Sequence, residues 1–86
     1  MAEMTHWRQL ADQGDAEAQY KIGMMYENGL LGVEKNLAEA FFWYWLAATK
    51  PSMRKVHTVG KRLTNEQIRA AQERALAWKP SPTLSK

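Results

Sequence analysis

Between residues 16 and 28 the apolar side chains Ala18, Ile22, Met25 and Tyr26 return every three or four positions, which places them on one stripe of an α-helix. The flanks agree with that reading. Asp15 is positioned to accept an N-terminal amide hydrogen bond, Glu17 to sit near the positive end of the helix dipole, and Asn28-Gly29 to supply the left-handed residue that ends such helices. Gly23 lies inside this helix and caps nothing. An interior glycine costs about 1 kcal/mol relative to alanine, so close approach of a neighbouring helix is its predicted reason.

The pattern changes after Gly29. Leu30-Leu31-Gly32-Val33-Glu34-Lys35 reads as a connector whose two leucines are expected to fold back over the helix ends, and Asn36 is a predicted N-cap for a second helix. From 37 to 48 only Glu39 is charged, and Phe41, Phe42, Trp43, Tyr44, Trp45 and Leu46 point in every direction around a helical wheel. A helix apolar all round is buried on several sides, and this one is far too short to span a bilayer. It is the predicted central helix, packed against the helices before and after it. Thr49-Lys50-Pro51-Ser52 reads as a break, followed by a helix with a weak stripe of Met53, Val56, Val59 and Gly60 that ends by Arg62. Thr64-Asn65-Glu66-Gln67 has the form of a capping box. Behind it Ile68, Ala71, Ala75 and Trp78 share a face, flanked by Leu76, so the last helix is expected to clamp onto the core. Residues 80–86 have no periodicity and read as a flexible tail, which leaves 1–79 as one helical domain.

Composition sharpens this picture in three ways. With 86 residues, the chain buries only about 60% of the surface it exposes when unfolded, but four Trp, three Tyr, two Phe and five Met give a thin core large side chains. The absence of cysteine removes disulfides and thiolate metal sites, which fits a reducing compartment. With no apolar stretch near residue 1 and none long enough for a membrane span, the chain reads as cytoplasmic. Charge is divided: residues 1–48 carry three bases against seven acids, a net of −4, and residues 49–86 carry nine bases against two acids, a net of +7. That asymmetry could steer an acidic partner or a nucleic acid to the second half.

No catalytic constellation is present in the sequence. His6 and His57 are far apart, with no carboxylate or second histidine at metal-ligand spacing. Ser52 and His57 lack a third triad member and an oxyanion hole. Gly60-Lys61-Arg62-Leu63-Thr64 is a chance likeness to a phosphate loop, because Lys55 stands where its first glycine belongs. The paired acids Asp12 and Asp15, and Glu66 and Glu73, flank or start helices and read as caps and solvent-facing charge. The chain is expected to be no enzyme and to need no cofactor or metal.

Three strings carry a resemblance: Asp12-Gln13-Gly14-Asp15-Ala16-Glu17-Ala18-Gln19-Tyr20, then Ile22-Gly23-Met24-Met25-Tyr26-Glu27-Asn28-Gly29, then Ala38-Glu39-Ala40 with Trp43-Tyr44 and Ala47-Ala48. Together they resemble the Sel-one-like repeat family, relatives of the tetratricopeptide repeats. The likeness covers one full repeat, from about 15 to 49, with 7–14 similar to the end of a preceding repeat, 53–62 to a degenerate first helix and 63–80 to a terminal capping helix. The turn after Gly29 is one residue longer than the family form, Glu34 replaces a usual proline, and Phe42 and Trp45 stand at positions often polar. The resemblance implies an all-α fold: a short α-solenoid of helix-turn-helix repeats, about five helices, closed by a C-terminal capping helix.

It also implies a non-catalytic protein-binding module, an adaptor, scaffold or small regulatory inhibitor. Its inner surface would be lined by Glu17, Tyr20, Met24, Glu27 and Asn28, which suits a basic or amphipathic segment of another protein. Two other readings are weighed against it. Solenoids are normally stable from about three repeats upward, so Phe42, Trp45 and Leu46 would be covered either by the terminal helix or as a second interface in a homodimer. The basic residues Lys61, Arg62 and Arg69, with their neighbours, motivate a small nucleic-acid-associated regulator, but no recognised reading motif accompanies them.

Overall fold

Every helix after the first begins where a side chain takes up an amide that the helical backbone leaves open. A computed structural model describes residues 2–80, with side chains from Thr5 onward, and contains five helices and no strand among them. They are α1 (Ala2–Asp12), α2 (Ala16–Asn28), α3 (Leu37–Ala47), α4 (Lys50–Gly60) and α5 (Asn65–Ala77). Asp15 Oδ1 accepts from the Ala18 N–H at 2.8 Å and Asn36 Oδ1 from the Glu39 N–H at 3.0 Å. Thr64 and Gln67 exchange hydrogen bonds as a capping box at the start of α5. Gly29, at φ 68°, closes α2 in the left-handed conformation that costs glycine nothing. Of the residues expected to form a tail, 81–86 lie outside those described.

The start of α4 differs from expectation. Thr49 and Ser52 form a second reciprocal capping box, with the Thr49 N–H donating to Ser52 Oγ at 2.7 Å and the Ser52 N–H to Thr49 Oγ1 at 3.3 Å. Pro51 sits in the first turn, where its missing N–H leaves no hydrogen bond unmade. The helix thus begins at Lys50, and its inward stripe is Ser52, Val56 and Val59; Met53 is 39% exposed.

Helix α3 is the hub. It packs against α2, α4 and α5, α1 packs on α2, and α4 and α5 hardly touch each other. Phe41, Phe42, Trp43 and Tyr44 are all buried, together with Ile22 and Met25 from α2, Val56 and Val59 from α4, and Ala71 from α5. Gly23 explains itself here: a Cβ added to it would meet the Tyr44 ring at 2.6 Å, so the glycine lets α2 and α3 close on each other. The buried Gln19 side chain donates to the Ala11 carbonyl at 3.0 Å and ties α2 to α1.

Two expectations about apolar residues are corrected. Leu30 and Leu31 do not fold back over the helix ends but are 45% and 43% exposed, because Gly29, Leu31 and Gly32 all take positive φ and turn the chain so that Val33 packs on the core instead. Leu76 does not flank the buried face of α5; it is 84% exposed, and Ile68, Ala71 and Ala75 make the contact.

The clamp of α5 on α3 is partly ionic. Arg74 forms a two-pronged pair with Glu39, at 2.8 and 3.0 Å, and its guanidinium lies 3.8 Å from the Phe42 ring centroid. Trp43 Nε1 also donates to Glu39, at 3.2 Å. The hydrogen bond from Arg74 holds the Glu39 carboxyl below its ordinary value, against an opposing push from partial burial. A carboxyl depressed on folding adds stability above its unfolded pKa, 4.5, and loses that contribution as pH falls through the folded value. Because the Arg74 side chain is half exposed, Glu39→Gln is expected to cost only about 1 kcal/mol at neutral pH. In urea titrations the gap between Glu39→Gln and the wild type should close as pH is lowered through and below the ordinary carboxylate range.

Candidate partner-binding face

On α2, Tyr20 and Glu27 lie beside α4, whereas Lys21 lies over Trp7 of α1. Tyr20 is half-buried, with its ring centroid 5.6 Å from that of Tyr44, and Met24 is half-buried against the core edge. Glu17 is exposed one turn earlier. Asn28 is exposed as well, but its side chain donates to the Met24 carbonyl at 3.1 Å, closing the last turn of its own helix. Glu27 is engaged within the molecule: it accepts from the Tyr44 hydroxyl at 2.6 Å and pairs with Lys55 at 3.5 Å. Burial first, and then the Glu27 carboxylate beside it, push the Tyr44 hydroxyl far above the ordinary tyrosine range.

Helix α4 supplies the opposite wall. A hollow of about 300 Å³ lies between Tyr20 and the α4 residues Pro51, Arg54, Lys55 and Thr58. A second, larger one of about 670 Å³ opens on the other side of the α4 ridge, lined by Ala48, Thr49, Lys50, Met53, Arg54, His57 and Thr58. Arg54 and Thr58 line both hollows. Sequence reasoning named the α2 side of this face and missed the α4 side as a wall for it. The available signal was the Thr49-x-x-Ser52 capping box, which sets where α4 starts and therefore which of its residues look outward.

The remaining candidate residues are not gathered into this face. Phe42 is buried, with Arg74 of α5 across its ring, so it is core in this structure rather than open surface. Trp45 is half-buried and stacks on Phe41 at 6.0 Å, and Leu46 is half-buried too. Lys61 and Arg62 are exposed after the end of α4 and Arg69 is exposed on α5. Among the described residues no group of three or more His, Asp or Glu side chains is placed to hold a metal ion, and no helix is long and apolar enough to cross a membrane.

Comparison with known proteins adds the family. Residues 16–52, which contain α2, α3 and the first turn of α4, match the family model of the Sel1 repeat. A stretch of 51 residues, 59% of this chain, is 35% identical to an ERAD-associated E3 ubiquitin-protein ligase component, HRD3A, of Arabidopsis thaliana. The match spans 8% of that much longer protein. No solved structure gives a significant match. Helices α2 and α3, joined by the Gly29 turn and locked by the Gly23–Tyr44 contact, thus correspond to a Sel1 repeat, a helical unit that typically mediates protein–protein interaction.

Proposed function

We propose that this chain is a non-catalytic adaptor or regulatory module that binds another protein through the face shared by α2 and α4, with Glu17, Tyr20, Met24, Arg54 and Thr58 in the contact. The observation that carries the reading is the hollow between Tyr20 and α4: an aromatic side chain, half-buried and held by Tyr44, at the floor of a groove between helices that each pack on α3. An aromatic anchor in a partly desolvated groove with polar groups at its rim is how helical modules take peptide segments. The repeat type and the ligase component to which part of the chain is similar support a partner-binding role. We place the protein in the cytoplasm on its lack of cysteine.

The test is an affinity pull-down from nuclease-treated lysate, comparing wild type with the double variant Tyr20→Glu, Met24→Glu at matched helicity. Thr58→Glu is the second variant, because Thr58 is exposed and its replacement leaves the core untouched. One protein retained by the wild type and lost by both variants is the expected outcome. Equal retention by all three baits would place the interface elsewhere, and recovery of nucleic acid alone would overturn the class.

A further inference from the structure

We infer that the segment bound at this face is acidic and amphipathic, lying across the α4 ridge with carboxylates on Lys50, Arg54 and Lys55 and apolar side chains in the two hollows beside Tyr20 and Met53. The inference rests on the protein-binding reading above and adds the sign of the partner's charge. It keeps the amphipathic part of the expected basic or amphipathic segment and changes the sign of its charge.

Three observations lead to it. First, the 26 residues from 40 to 65 contain no acid, and they hold Lys50, Arg54, Lys55, Lys61 and Arg62. Helix α4 is therefore a cationic rod. Second, its charges are largely unanswered: Lys55 pairs with Glu27, whereas Lys50, Arg54 and Lys61 have no acidic partner among the described residues. Third, the acids that would recruit a basic segment are engaged elsewhere. Glu27 serves Tyr44 and Lys55, which leaves Glu17 on this side of α2. A face with cations along its ridge and apolar groups at Tyr20, Pro51, Ala48 and Met53 in the hollows matches a segment that alternates carboxylates with apolar side chains.

The same accounting argues against a second copy as the occupant. Asp12, Glu27 and Glu39 are paired within the chain and Asp15 caps α2, so among the described side chains the other exposed acids, Glu17, Glu34, Glu66 and Glu73, are spread over two helices and a loop. Nucleic acid fits less well because the aromatic ring at the face, Tyr20, is engaged on Tyr44, which leaves phosphate contact without base stacking.

The test uses the full chain and fluorescence polarisation at physiological salt. The probe is a short labelled peptide with glutamates and leucines at helical spacing, alongside a glutamine-for-glutamate twin, a lysine-for-glutamate twin and a single-stranded oligonucleotide of equal charge. The glutamate peptide is expected to bind, with each twin weaker by about tenfold or more. Arg54→Glu should lose about tenfold, Arg54→Lys should keep most of the affinity, and Arg69→Glu on α5 should change it less than about twofold. A lysine twin that binds as well, an oligonucleotide that binds more tightly, equal loss in Arg69→Glu, or no binding of the glutamate peptide overturns the inference. So does self-association that competes with the peptide, which would assign the face to a second copy. The two readings fail separately. A lysate partner lost with Tyr20→Glu, Met24→Glu but indifferent to Arg54→Glu keeps the binding face and sinks its charge preference.

Discussion

Trp43→Ala is expected to remove about half or more of the chain's stability and to lower its melting temperature sharply, while Trp45→Ala, two residues away, costs much less. Trp43 is almost wholly buried on the helix that touches α2, α4 and α5, its ring meets Phe42 edge-on at 5.1 Å, and Arg8 of α1 lies 5.2 Å over its other side. Deleting it removes a buried ring that holds Arg8 of α1 and Glu39 of α3 and leaves a cavity in a thin core. Such truncations cost about 3–5 kcal/mol. A domain of this size has roughly 5–10 kcal/mol in total, so most of the folded population's margin goes. Trp45 is half-buried and stacks on a single ring, and its loss should cost about 1–2 kcal/mol. Thermal melts by far-ultraviolet circular dichroism separate the two cases directly. A Trp43→Ala variant that melts with Trp45→Ala would show that α3 is not the hub.

The difference between those tryptophans also marks where sequence reading stops. Helix starts were legible because caps are a local code: Asp15, Asn36 and the Thr64–Gln67 box each act within three residues of themselves. The same code was present at Thr49 and Ser52, but with Pro51 between them the stretch read as a break, so Ser52 was left out of the stripe and Met53 was put into it. The inner stripe of α2 was legible because polar residues interrupt it. On α3 almost nothing interrupts, so periodicity could not say whether Phe42 or Trp45 faced a neighbour. The answer came from Arg74, which pairs with Glu39 from 35 residues along the chain and covers Phe42. Leu30 and Leu31 misled for a related reason. Hydrophobicity predicts where a side chain would gain by going, and the positive φ angles at Gly29, Leu31 and Gly32 decide where the backbone sends it.

The candidate face divides in the same way. Tyr20 and Met24 follow from the helix period of α2 alone, since they lie opposite Ala18, Ile22 and Met25. Arg54, Thr58 and Met53 belong to the face only because α4 and α2 both pack on α3, a tertiary fact that no local pattern encodes. The Glu27 carboxylate was visible as an acid but not as one already engaged, because its partners Tyr44 and Lys55 are 17 and 28 positions away. Read as a row of α2 residues the face suited a basic or amphipathic segment, whereas with Glu27 engaged and the cations of α4 beside it the face suits an acidic one.

Gly23→Ala is expected to destabilise the fold by about 1–3 kcal/mol, although alanine is the better helix former. On propensity alone the substitution would add about 1 kcal/mol of stability. The structure opposes it, because the new methyl would lie 2.6 and 2.7 Å from two carbons of the Tyr44 ring. That ring cannot step aside cheaply: it is fully buried, its hydroxyl is hydrogen-bonded to Glu27, and Tyr20 packs against it. Either α2 and α3 move apart, loosening the repeat, or Tyr44 gives up its bond to Glu27 and frees Lys55 as well. The two causes separate in a double-mutant cycle with Tyr44→Leu, whose side chain is shorter and flexible. Tyr44→Leu alone should be costly, since it loses a buried ring and a hydrogen bond. In its presence, however, Gly23→Ala should become neutral or stabilising, a coupling of about 1–3 kcal/mol between residues in direct contact. If Gly23→Ala destabilises equally in both backgrounds, the glycine is there for some reason other than the approach of Tyr44, and the closest contact of the repeat lies elsewhere.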